Sequence, residues 1–337
     1  MAQNQTTMKE LAKRLGTSVS TVSRALQNHP RIGIRMKEQV LKLAQELNYV
    51  PNSTAINLKK QQTFHVGVVL PFLTEQFFSL AITGIEDILF EKGFRVILQQ
   101  SRNSFERENL AIKSLVKHGV DGIIVSVTSE TYRTEHFLDV NKHGIPIVFF
   151  DRVIRNLPNS CVYSDIMVGA FEAVEFLLSK GLSKIALLNG PNTLYATDER
   201  FQGYVEALRK HQIPILPQYI KGGDLTKEDT VLKMQELLNL PEPPQAVLAF
   251  HDYVAMDAMQ VCRQNGLTIN QDIYFVSFSN LTFCNYLEQP PIASIEQFPY
   301  EMGAKAAQLL MAAMKAPQTY IREEVIIKSK LIVRGGG

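Results

Sequence analysis

The chain is poor in cysteine: Cys161, Cys262 and Cys284 stand far apart and are odd in number. They form no paired spacing for zinc or dithiol chemistry, and they read as reduced, mostly buried thiols of a cytosolic protein. No apolar run approaches the ~20 residues that span a bilayer. No positively charged segment followed by an apolar stretch opens the chain, so no signal peptide is read. Gly-x-Gly-x-x-Gly turns after strands, a phosphate loop and paired metal-ligand motifs are also missing. Acids fall at strand ends, but nothing pairs them with a nucleophile or base. Neither an enzyme nor a cofactor or metal site is therefore expected.

The 337 residues are 45% hydrophobic and 20% charged, an ordinary globular balance with room for two or three domains. Charge is unevenly placed. Residues 1–62 hold ten Lys and Arg against three acids, a charge of +7 in a chain whose total is +2, so the remainder carries −5. A basic head on a mildly acidic body is the footprint of phosphate binding.

Within that head, Met8-Lys9-Glu10-Leu11-Ala12-Lys13-Arg14-Leu15 has a helical pattern that stops at Gly16. Thr7 with Glu10 reads as a capping box, and Ser18 is placed to cap a second helix reaching about Gln27. Two short helices joined by a tight glycine turn form the helix-turn-helix pattern, whose second helix enters the DNA major groove. The same hairpin also serves structurally, and the charge favours DNA. Val22, Ala25 and Leu26 supply the inward face, while Val19, Ser20 and Arg24 point elsewhere. A third helix, about Ile34 to Leu47, would close a small core with Val40, Leu41, Ala44 and Leu47. After Pro51, Asn52 can cap a two-turn helix over Ser53 to Lys59, too short to be stable without packing or DNA. Lys59-Lys60-Gln61-Gln62-Thr63 is a polar linker.

From His65 onward, apolar β-branched runs alternate with helices. Strands are expected at Val66–Leu70, Arg95–Gln99, Gly122–Val127, Ile145–Asp151, Lys184–Leu188, Ala246–Phe250 and Tyr274–Phe278. Continuous apolar strands between helices mean parallel sheets covered on both faces, here too many for one small sheet. The expected fold is a small all-α head followed by an α/β body of two parallel-sheet lobes with a cleft between them. Ligands in such sheets sit at the strands' carboxyl ends.

In this order and spacing the motifs resemble the lactose-repressor (LacI/GalR) family of bacterial transcription regulators over nearly the whole chain. The resemblance rests on Val22-Ser23-Arg24-Ala25-Leu26, Leu47-Asn48-Tyr49-Val50-Pro51-Asn52 and Val66-Gly67-Val68-Val69. It extends through Phe77-Phe78, Gly84-Ile85-Glu86, Val120-Asp121-Gly122-Ile123 and Phe150-Asp151-Arg152 to Arg200-Phe201-Gln202-Gly203-Tyr204 and Tyr300-Glu301-Met302-Gly303. It implies a DNA-binding domain over 1–51, a hinge helix and linker over 52–63, and a periplasmic-binding-protein-like body over 64–337. The lobe crossings are expected near 162, 292 and 322. It also implies a cytoplasmic homodimer on a pseudo-palindromic operator of double-stranded DNA, switched by a sugar-like effector in the cleft. The chain ends without an apolar heptad tail, which favours a dimer over a tetramer.

The resemblance places base contacts at Val19, Ser20 and Arg24, with Arg24 the guanine reader and Val19 able to touch a thymine methyl or to pack in the core. Thr7, Ser18, Thr21 and Ser23 are phosphate candidates, compatible with capping. Asn52, Ala55 and Leu58 fall on the hinge, with Leu58 as a minor-groove wedge. Gly33 and Met36 stand where relatives often carry Ser and Thr, so one phosphate contact is lost. In the cleft, Phe77, Phe78, Asp151, Arg200, His251, Asp252 and Asn280 match positions that line or support the effector site. Arg200 is the leading direct contact, either Phe is equally at home in a core, and Asp252 could instead cap the helix beginning at Tyr253. His251 replaces a common Asn, and Ser279-Asn280 replaces a late Asp. The effector class therefore stays open among sugars, phosphorylated sugars, uronic acids and nucleobases.

Two rivals fare worse. A binding protein that delivers sugar to a transporter predicts a signal peptide and no basic head. An enzyme predicts a catalytic constellation, and none is assembled.

Overall fold

The computed structural model describes residues 6–49 and 62–334. The chain divides into two compact units, residues 1–63 and 64–337. The hinge residues Asn52, Ala55 and Leu58 lie outside the described residues.

Three helices make the first unit: α1 (Met8–Arg14), α2 (Val19–Leu26) and α3 (Ile34–Glu46). Thr7 caps α1, its hydroxyl accepting the Glu10 amide at 3.3 Å. The other half of the expected capping box is not made, because the Glu10 carboxylate pairs forward with Arg14 at 2.9 Å. The turn depends on Gly16, whose φ of +60° is the left-handed conformation a side chain resists. Leu11, Ala12, Val22, Ala25, Val40 and Ala44 form the buried core of this unit, with Leu26 and Leu47 packed against it. Leu41, expected in that core, is 49% exposed. The α3 stripe instead turns through Met36, Val40, Leu43 and Ala44, a 3.6-residue spacing that leaves Leu41 on the outer side.

The second unit holds two six-stranded sheets. The first is built from β1 (His65–Leu70), β2 (Arg95–Gln100), β3 (Gly122–Val125), β4 (Ile147–Phe150), β5 (Ser160–Ser164) and β11 (Glu324–Ile327), all parallel, in the order β11-β5-β4-β3-β1-β2. The second repeats that order with β6 (Ile185–Asn189), β7 (Ile220–Gly222), β8 (Ala246–Ala249), β9 (Tyr274–Phe278), β10 (Ala293–Glu296) and β12 (Lys330–Val333). There only β12 runs antiparallel. Val66, Val68, Ile124 and Val148 face one core of the first lobe, and Val69, Ile123, Val125 and Phe149 face the other. Both faces are thus buried, which is why these strands read as unbroken apolar runs.

Helices α4 (Gln76–Glu91), α5 (Phe105–His118), α6 (Glu135–Lys142) and α11 (Pro299–Lys315) belong to the first lobe. Helices α7 (Ile166–Ser179), α8 (Tyr195–Lys210), α9 (Lys227–Leu238) and α10 (Asp252–Gln264) belong to the second. Each lobe brings one helix pair into backbone contact at a glycine. A Cβ on Gly84 of α4 would lie 2.1 Å from the Tyr300 carbonyl oxygen, and one on Gly203 of α8 would lie 2.2 Å from that of Met167. The chain leaves the first sheet after Ser164, returns after Glu296, and crosses again between Ile327 and Lys330. All three crossings fall a few residues beyond 162, 292 and 322, because β5, β10 and β11 are completed before the chain turns.

Candidate functional site

On α2 the Ser18 hydroxyl accepts the Thr21 amide at 3.1 Å and lies 2.7 Å from the Ser20 hydroxyl and 2.9 Å from that of Thr21. Three hydroxyls therefore cluster at a helix N-terminus, where the dipole favours an anion. Val22 and Ala25 hold the inner face, which turns Ser20 and Arg24 outward. Val19 is 41% exposed, so the alternative of core packing does not apply to it. Ser23 and Thr21 are half-buried, while Thr7 and Ser18 are exposed. The turn lays one exposed face of α2 open, carrying a branched apolar group, hydroxyls and a guanidinium.

In the second unit a cavity of about 470 Å³ opens between the lobes, within the range of small-molecule sites. Its wall is made from the ends of β1, β3, β4, β5, β6, β8, β9 and β10 and the loops and helix starts that follow them. These are the carboxyl ends of the strands. Phe77, Phe78, Asp151, Arg200 and His251 all line it. Both phenylalanines are also buried in the first lobe's core, so the two readings of them hold together. Their rings meet edge to face at 5.4 Å.

Asp151 follows β4 at a φ of +58°, a conformation that an Asp tolerates and that concentrates at functional sites. Its amide donates to the Val162 carbonyl at 2.9 Å, and its carboxylate accepts from the Ser126 hydroxyl at 3.3 Å. Burial raises its pKa, opposed by the neighbouring guanidinium groups of Arg152 and Arg200. Arg200 is 3% exposed and held between two rings, 3.7 Å above Phe250 and 4.3 Å from Phe278. Its Nη1 donates to the Ala196 carbonyl at 3.1 Å, and its Nε is buried without a protein partner. Burial pushes its pKa down to about 9, with Asp151 pulling the other way.

His251 caps α10: its Nδ1 accepts the Val254 amide at 3.2 Å. That bond leaves Nε2 as the protonated nitrogen of a neutral ring. Burial, and then the charges of Arg200 and Arg152, hold its pKa down at about 3. The imidazole is therefore a neutral donor at any physiological pH.

Two expected cleft residues do not line the cavity. Asp252 is 0% exposed at the first position of α10. Its carboxylate accepts from the Leu281 amide at 2.6 Å, from the hydroxyls of Ser294 (3.0 Å) and Ser277, and from Arg334 at 3.4 Å. It ties α10, β9, β10 and the end of β12 together behind the cavity. Asn280 is held by the same framework: its amide donates to Glu296 at 2.8 Å and accepts from Arg334 at 2.8 Å. Ser279 lines the wall in its place. Nor does Asp252 supply the α10 cap, which comes from His251.

Several further residues complete the wall, Arg152 among them from the Phe150-Asp151-Arg152 motif. Glu75 and Arg152 line the cavity, and burial raises the Glu75 pKa while the Arg152 charge lowers it. Arg152 donates to Asn103 at 2.7 Å. Thr128 and Thr131 are held from behind by Glu108, which is wholly buried. It accepts from the Thr128 amide at 2.8 Å, the Thr131 hydroxyl at 2.9 Å and His136 Nε2 at 3.0 Å. Glu75 follows a strand end and precedes a helix, a position that could have marked it. Glu108 sits mid-helix and gives no such signal.

Arg155 and Gln76 make contacts that cross the cleft. Arg155 of the first lobe pairs with Glu199 of α8 at 2.6 Å and lies 4.2 Å over the Tyr163 ring and 5.4 Å over that of Tyr195. Gln76 of α4 exchanges two hydrogen bonds with Thr282, at 2.6 and 3.0 Å.

Residues 7–52 match the family profile described as bacterial regulatory proteins of the lacI family. Residues 63–334 match that of periplasmic binding proteins and the sugar-binding domain of the LacI family. The chain belongs to the LacI family. It is a DNA-binding transcriptional regulator, with the family's DNA-binding unit over residues 7–52 followed in the sequence by an effector-binding body over residues 63–334. Among curated LacI-family relatives, the HTH-type transcriptional repressor CytR of Escherichia coli (strain K12) is 30% identical over 329 residues, 98% of this chain and 95% of that protein. The solved complex of the transcriptional regulator CelR with cellobiose superposes with a TM-score of 0.74 at 27% identity, covering 99% of this chain and 100% of that one. The Lac repressor dimer bound to operator and an anti-inducer shares the fold at a TM-score of 0.85, with 24% identity and 98% of each chain covered.

Proposed function

We propose that this LacI-family protein is a cytoplasmic homodimeric repressor. It reads a pseudo-palindromic operator through Val19, Ser20 and Arg24 and is switched by a sugar-like effector in the inter-lobe cavity. Thr7, Ser18, Thr21 and Ser23 hold phosphates, and Asn52, Ala55 and Leu58 form the minor-groove hinge. The observation that carries the reading is the cavity itself. It combines an aromatic wall (Phe77, Phe78) with an acceptor (Asp151) and donors (Arg200, the His251 imidazole), the set that pairs with sugar hydroxyls. The complex of CelR with cellobiose supports the effector class, and the Lac repressor dimer on its operator supports the assembly. The family, whose curated relatives are transcriptional repressors, favours a regulator without catalytic activity.

The effector shifts operator affinity only by its different affinity for the DNA-competent and DNA-incompetent arrangements. Movement of the lobes about the cavity, passed to the paired hinge segments, is the proposed link. Selection from a random duplex library, with and without a panel of neutral sugars, tests the reading. A palindromic site that one sugar abolishes or creates is the expected result. Enrichment of no sequence at low salt by the folded protein would overturn it.

A further inference from the structure

The cavity wall carries charges of both signs side by side. Arg155 is neutralised by Glu199 at 2.6 Å. The field of Arg152 acts on both Glu75 and Asp151, and that of Arg200 acts on Asp151. With Asp198, the charged wall holds four carboxylates against three guanidinium groups, and His251 adds no charge. The helix N-termini nearby are also filled. Glu75 occupies the N-cap position of α4, where its side chain caps no amide and its charge meets the helix dipole. Asp198 lies in the first turn of α8, and Asp252 is the first residue of α10. Helix N-termini are the usual seats for phosphate, and those of α4 and α8 each carry a carboxylate of the cavity wall, while that of α10 is capped by His251.

We infer that the cavity selects an uncharged, hydroxyl-rich ligand and excludes its phosphorylated and carboxylated forms. Glu75 and Asp151 are the residues that set this preference. The inference rests on the effector reading above and narrows it. A phosphate ester would bring about −1.5 to −2 of charge to a wall on which carboxylates already outnumber guanidinium groups by one, the extra one being the exposed Asp198. A neutral polyol meets no such opposition. Its hydroxyls donate to Glu75 and Asp151 and accept from Arg200 and His251, so acceptor and donor are both supplied. Both carboxyl groups are half-buried on the cavity wall, and burial raises the pKa of each.

Calorimetry on the full chain tests this with inorganic phosphate as the probe. The wild-type protein is expected to show no saturable phosphate binding that Arg200→Ala weakens. The Glu75→Gln, Asp151→Asn double variant, its folding checked by thermal unfolding, leaves Arg152 and Arg200 unmatched. It is expected to bind phosphate at least about tenfold more tightly than wild type. If the double variant does not fold, Glu75→Gln alone carries the same comparison with a smaller gain. Wild-type phosphate binding that depends on Arg200, or no gain in the variants, overturns the inference. A second arm compares D-ribose with D-ribose 5-phosphate and D-glucose with D-glucose 6-phosphate. Any neutral sugar that binds is expected to be favoured over its phosphate by about tenfold or more, and the reverse order overturns the inference. Silence from all four sugars while the phosphate result holds would sink the sugar reading and leave the charge exclusion standing.

Discussion

His251 shows how one bond to the backbone can fix a side chain's role. Because its Nδ1 caps α10, the ring offers Nε2–H to the cavity, and because it is buried beside Arg200 and Arg152 it stays neutral. The unfolded chain takes up a proton as pH falls through about 6.5, whereas the folded one resists until about 3. Stability linked to His251 is thus complete above the first value and is lost between the two. Chemical unfolding across that window is expected to show a shallower fall for His251→Gln than for wild type. Equal slopes would mean the imidazole is not buried and neutral. The residue scale is also where sequence reasoning met its limits. Asp252 and Asn280 match family positions that line or support the cleft, and the sequence alone does not say which of the two each does. What moved them behind the wall is Arg334, a residue 82 positions from Asp252 whose guanidinium claims both side chains. Only the completed sheet brings it there.

Among the elements, α2 was the most legible, because its cap, its inward face and its length are all local properties. Ser18 both caps the helix and faces outward, so two roles overlap at one hydroxyl. Ser18→Gly separates them. Glycine at an N-cap costs only a few tenths of a kcal/mol, so the head's thermal stability should barely change. Operator affinity should fall by a similar factor on all sequences if the hydroxyl meets a phosphate. Unchanged affinity would remove Ser18 from the phosphate contacts. The close helix pair α4–α11 was less legible. Nothing in the sequence around Gly84 says that the Tyr300 carbonyl will lie where a Cβ would go. Gly84→Ala is expected to force the helices apart at a cost of about 1–3 kcal/mol or more, read as a lowered midpoint in urea. An unchanged midpoint would contradict the backbone contact. The short strands β5, β7, β10, β11 and β12 escaped notice for a related reason. β7, β11 and β12 lie at sheet edges, run for only three or four residues and have no fully buried position, so their periodicity is weak.

For the whole molecule, the α/β rhythm and the motif order foretold two parallel-sheet lobes, and both sheets follow the same strand order. The five cavity residues that were anticipated share one property: each lies at or just past the carboxyl end of a strand, or on the helix that follows it. The cross-cleft contacts of Arg155 with Glu199 and Gln76 with Thr282 were not foreseen, since they depend on how the lobes approach each other. The central claim is that operator and effector compete for, or cooperate through, one conformational equilibrium. The most direct test measures both sides of that coupling on one protein: operator affinity with and without saturating sugar, and sugar affinity with and without saturating operator. Linkage requires the two factors to be equal, and typical couplings are about 5–150-fold. Equal factors well above one are expected, in either direction. Operator affinity that no cavity ligand changes, while both ligands bind the same folded chain, would contradict the claim.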